Sequence, residues 1–79
     1  MDTVEVRFFA AARAAAKAEQ IQVPAGTLNQ ILANLKRSED LARVIPQCSF
    51  LVNAVICHDY EAMITAGSQI DVLPKFAGG

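Results

Sequence analysis

One segment limits the possible folds more than any other. Thr27-Leu28-Asn29-Gln30-Ile31-Leu32-Ala33-Asn34-Leu35 reads as a capped amphipathic helix, and most of the other patterned segments read as strands. Thr27 is a good N-cap, and Gln30, three residues on, completes a capping box. Leu28, Ile31, Leu32 and Leu35 follow at i, i+3, i+4 and i+7, one apolar stripe suited to lie on a sheet. Lys36 and Arg37 are expected in the last turn, where cations suit the helix dipole. Ser38 caps a second short helical segment, Glu39 to Ile45, which Pro46 is expected to end.

The strands are marked by alternation. From Val4 to Phe9, the residues Val4, Val6 and Phe8 face one way and Glu5, Arg7 and Phe9 the other. Glu19 to Val23 alternates again and stops at Pro24-Ala25-Gly26, so the two segments form a hairpin. Between them, Ala10 to Ala18 has strong helix propensity but only small side chains to bury, and reads as a short helical turn or a tight loop. Ser49–Val52 and Ala54–Cys57 are apolar and β-branched around Asn53-Ala54, a strand and its return. His58 to Ala66 is a connection anchored by Met63 and Ile64. Gly67-Ser68 turns the chain into a last strand, Gln69 to Leu73, with Ile70 and Val72 facing inward and Asp71 and Leu73 outward. Pro74 ends it. The outcome is one α+β domain over residues 1–79, a mixed sheet of four or five strands with one main helix across it. A flexible tail over residues 75–79 completes it. A chain of 79 residues buries only about 60–65% of its unfolded surface, so each apolar segment is needed.

Composition narrows the functions. Hydrophobic residues at 53% and charged residues at 19% suit a compact domain and argue against disorder. A net charge of −1 offers no basic field for nucleic acid or anionic lipid. No apolar run approaches the ~20 residues of a membrane span, and Met1-Asp2-Thr3 lacks the basic start of a signal peptide. The sequence reads as cytoplasmic. Cys48 and Cys57, with His58, supply too few ligands for a metal site. Both cysteines read as small structural hydrophobes.

The last five residues, Lys75-Phe76-Ala77-Gly78-Gly79, have no periodicity. Two terminal glycines occur by chance in roughly one chain in two hundred, so the pair alone is a modest signal. Its chemistry is more informative. Glycine has no Cβ, so Gly78-Gly79 can thread a channel too narrow for a side chain. A carboxylate at Gly79 is ionised at neutral pH and is a poor acyl electrophile until activated, for example as an acyl-adenylate. A sulfur nucleophile attacking that adenylate leaves a thiocarboxylate, a good sulfur donor. The sequence offers no base, nucleophile pair or nucleotide loop for these steps. It reads as a carrier whose enzymes are separate.

Several short segments together resemble the MoaD/ThiS sulfur-carrier family. They are Val6-Arg7-Phe8-Phe9-Ala10, Ala25-Gly26-Thr27-Leu28, Val52-Asn53, Gly67-Ser68-Gln69-Ile70 and Leu73-Pro74-Lys75-Phe76-Ala77-Gly78-Gly79. The resemblance spans essentially the whole chain and is nearest the MoaD branch, the small subunits of molybdopterin synthase. It implies a β-grasp, ubiquitin-like fold and a Gly79 thiocarboxylate made by a MoeB-like adenylating enzyme that uses ATP. No cofactor is implied on this chain itself. It also implies a MoaE-like large subunit, in a heterotetramer, that takes the tail and passes sulfur to a pterin precursor. Thiamine-pathway carriers, other sulfur carriers, ubiquitin-like protein modifiers and a ubiquitin-fold interaction module without covalent chemistry are the alternatives. The first loop departs from the family pattern: Arg13 is followed by Ala14 rather than Glu, and Lys17 stands where glycine is expected.

In a β-grasp sheet the first and last strands are neighbours, which would bring Phe9 and Leu73 into one exposed apolar patch at the root of the tail. Clustered exposed apolar residues mark interfaces. Partner contacts are therefore expected from Phe9, Leu73 and Ile56, and from Pro74, Lys75, Phe76 and Ala77 on the tail. Arg7 and Lys75 flank the patch and could steer an acidic partner. Arg13 is a further contact implied by the first loop.

Overall fold

The structure, a computed structural model, describes residues 2–75. Five strands form the main sheet: β1 (Thr3–Phe8), β2 (Gln20–Pro24), β4 (Cys48–Val52), β5 (Val55–Ile56) and β7 (Gln69–Pro74). Their order is β2-β1-β7-β4-β5. The central pair β1–β7 is parallel and the other pairs are antiparallel, so the sheet is mixed as expected. A second, two-stranded sheet joins β3 (Gly26–Thr27) to β6 (Met63–Ile64). Three α-helices complete the described residues: α1 (Ala11–Ala16), α2 (Leu28–Leu35) and α3 (Glu39–Val44). This is the β-grasp arrangement that the resemblance implied.

The core is built from the faces that alternation assigned inward. Val4, Val6 and Phe8 of β1 and Ile70 and Val72 of β7 are at most 2% exposed, and Leu28, Ile31, Leu32 and Leu35 of α2 pack over them. The capping box forms as predicted: Thr27 Oγ1 accepts from the Gln30 amide at 3.1 Å, and Gln30 Oε1 accepts from the Thr27 amide at 2.9 Å. Asn53 and Ala54 both take left-handed backbone angles, which turns β4 directly into β5.

One open expectation is settled and four change. The link after β1, open between a helical turn and a loop, is the short helix α1: alanine propensity prevails because Ala12 is buried and α1 packs against α3. Lys36 and Arg37 lie beyond the end of α2, whose last helical residue is Leu35. Ser38 does cap α3, accepting from the Leu41 amide at 3.3 Å. However, α3 ends at Val44, and Pro46 sits inside a following 3-10 turn, Ile45–Gln47. Proline has no N–H and is tolerated in a first turn. Pro24-Ala25-Gly26 does not simply stop a strand, because Gly26-Thr27 resumes pairing as β3. Finally, Ile64 anchors the 58–66 connection, whereas Met63 is 66% exposed, since a two-residue strand sends neighbours to opposite faces.

Candidate docking face

The outer face of the sheet lies away from α2. Directly paired residues share a face, so the register places Gln20, Arg7, Asp71, Leu51 and Ile56 in one row across five strands. Leu73 and Ser49 form the next row toward the tail, and Phe9 leaves β1 beside them, its amide donating to the Val72 carbonyl at 3.3 Å. Phe9 and Leu73 are half-buried and Ile56 is 52% exposed. The structure therefore brings Phe9, Leu73 and Ile56 to one face. Leu51 joins them, opposite Ile56, and is a member that sequence reasoning missed. Its signal was the alternation Phe50-in, Leu51-out, hidden in an apolar run.

Arg7 is not a free cation at the rim. Its Nε and Nη2 donate to the two carboxylate oxygens of Asp71 at 2.8 and 3.2 Å, a bidentate pair. The guanidinium also lies 5.5 Å from the centre of the Phe9 ring, within cation–π range. The hydrogen bond to Asp71 holds the Arg7 pKa above its ordinary value. An ion pair thus sits within the apolar face.

The other expected contacts separate. Pro74 is buried, paired in register with Cys48, and is not part of the exposed face. Lys75 is exposed at the tail's root, where its amide donates to the Gln47 carbonyl at 2.8 Å. Arg13, on α1, lines an open groove of ≈ 540 Å³ with Ala10, Ala14, Lys17, Ala18 and Glu19, and shares a smaller pocket at the edge of the face with Arg7, Phe9 and Gln20. Lys17 caps α1 at φ 57°, the left-handed conformation that favours glycine, which explains why that residue is expected there. Phe76, Ala77, Gly78 and Gly79 lie outside the described residues.

Cys48 is buried and donates to the Val44 carbonyl, and burial pushes its thiol pKa up. Cys57 is half-buried and donates to the Asp59 carbonyl. Among the described residues no group of three or more His, Cys, Asp or Glu is placed to hold a metal ion. No helix among them is long and apolar enough to cross a membrane.

The ThiS family model matches residues 6–79. The chain belongs to the ThiS family. No curated protein matches its sequence. Among solved structures, it is similar to a chain in the complex of subunits 1 and 2 of molybdopterin-converting factor from Helicobacter pylori. The two are 28% identical with a TM-score of 0.80, covering 98% of this chain and 99% of that one. The HVO 2177 protein of Haloferax volcanii is 26% identical with a TM-score of 0.78, covering 98% and 86%. Small archaeal modifier protein 1 from Methanosarcina acetivorans shares the fold at 21% identity, with a TM-score of 0.82 and coverage of 100% and 98%. This ThiS-family chain thus shares its fold with a molybdopterin-converting factor chain and with a small archaeal modifier protein.

Proposed function

We propose that this chain is a sulfur carrier, the small subunit of a molybdopterin synthase, with the Gly79 carboxylate as its working group. The observation that carries the reading is the end-to-end likeness, at 28% identity, to a chain of the molybdopterin-converting factor complex. The family match running through Gly78-Gly79 supports the choice of working group.

The chemistry divides between this chain and its partners. A MoeB-like enzyme brings ATP, and a Gly79 carboxylate oxygen attacks the α-phosphorus, releasing pyrophosphate. Sulfide then attacks the acyl carbon and expels AMP together with that oxygen, leaving the thiocarboxylate. The sheet face docks on a MoaE-like large subunit, the second partner of an expected heterotetramer, while the tail delivers sulfur to a pterin precursor. The domain contributes a rigid handle, and glycine contributes access.

Intact mass tests both halves. Incubation with the adenylating enzyme, ATP and sulfide should add about 16 Da, the exchange of one oxygen for sulfur by acyl activation. Adding the large subunit and precursor should return the mass to its starting value. No gain with an active adenylating enzyme contradicts the carrier reading. A gain discharged only by a thiamine thiazole synthase keeps the carrier and overturns the molybdopterin assignment.

A further inference from the structure

The Arg7–Asp71 pair is placed where an interface of this kind is least tolerant of charge. Arg7 stands between Gln20 and Asp71 in the central row, Leu51 and Ile56 continue that row, and Phe9 and Leu73 lie beside it toward the tail. Side-chain exposure is 40% for Arg7 and 13% for Asp71. Any partner that covers Phe9, Leu73, Leu51 and Ile56 also covers the guanidinium.

The pair is satisfied on one edge only. Arginine has five N–H donors in a fixed fork. Nε and one N–H of Nη2 are committed to Asp71, both of whose carboxylate oxygens are occupied in return. Among the described residues nothing accepts from the outer edge, formed by Nη1 and the second N–H of Nη2. Glu5, the other nearby carboxylate, accepts from Gln69 Nε2 at 2.8 Å. Water serves the outer edge in the free protein, and docking removes it. A charged donor left without an acceptor on burial is costly, whereas a carboxylate matches two parallel N–H groups bidentately.

We propose that the Arg7–Asp71 pair selects the partner: the large subunit that docks here presents a carboxylate to the outer edge of Arg7, and a wholly apolar surface is rejected. This rests on reading the chain as a synthase small subunit. Specificity then comes from the penalty imposed on wrong partners as much as from attraction to the right one.

The test is calorimetric binding of the full-length chain to the MoaE-like large subunit encoded in the same genome. The double variant Arg7→Leu/Asp71→Leu makes the face apolar throughout. It should bind at least about 10-fold more weakly than the parent, because the partner's carboxylate loses its donor. Arg7→Lys keeps the charge and the contact with Asp71 but loses the fork, and should also weaken binding at least about 10-fold. Thermal melts establish that each variant is folded. If the double variant does not fold, Arg7→Lys decides alone. Parent-like or tighter binding by a folded double variant, or by Arg7→Lys, overturns the proposal and leaves the carrier function standing. Failure of the parent itself to bind removes the synthase reading, and this inference with it.

Discussion

Phe8 and Phe9 are neighbours with identical side chains, yet the strand sends them to different environments. Phe8 is 2% exposed in the core, whereas Phe9 is half-buried on the outer face under Arg7. Truncating Phe8→Ala should cost about 3–5 kcal/mol in denaturant melts. Phe9→Asp should leave a cooperative fold and weaken binding to the large subunit. Unfolding by Phe9→Asp as severe as that by Phe8→Ala would overturn the assignment of faces. Lys17 offers an opposite kind of test, because its left-handed backbone is strained for any residue with a Cβ. Lys17→Gly should raise stability by about 0.5–1 kcal/mol, read as a higher melting temperature. Ala10, at φ 51°, is strained at the other end of α1.

Elements were legible in proportion to how local their determinants are. The α2 helix was readable because its cap, its box and its stripe all lie within nine consecutive residues. Thr27→Ala removes the cap's acceptor and should cost about 1 kcal/mol in thermal or denaturant melts, with α2 otherwise intact. No loss of stability would mean that the Thr27–Gln30 bonds carry little weight. The β1, β2 and β7 strands were readable from alternation, since each has one face in the core. The α1 helix is not decided by its own sequence, because five alanines and one arginine hold too little apolar surface to settle the question locally. Its packing on α3 decides, and that contact is not written in the segment itself. The β3 and β6 strands were missed for a related reason: two residues each, paired only through Gly26↔Ile64 and Thr27↔Met63, carry no periodicity.

At the scale of the molecule, the sheet turns separate sequence signals into one surface. Phe9 and Leu73 were recognisable as apolar residues on polar faces, whereas the facing of Ile56 depends on the Asn53-Ala54 turn, and the order β2-β1-β7-β4-β5 gathers all three with Leu51. The Arg7–Asp71 pair, 64 positions apart, was invisible in the sequence because neither residue signals the other. With docking proposed on this face and chemistry on Gly79, the two should be separable by mutation. The direct measurement is sulfur transfer to the pterin precursor, with the large subunit and adenylating enzyme supplied, by variants that differ only at the end. Deleting Gly79, or adding one residue after it, moves the reacting carbon by about 3.3–3.6 Å along an extended chain. Misplacement of about 1 Å can cost 100-fold in rate, so both variants should lose transfer. Their thermal stability should stay within about 0.5 kcal/mol of the parent, since every buried core residue is kept. Full sulfur donation by a variant ending at Gly78 would contradict the assignment of Gly79 as the working group.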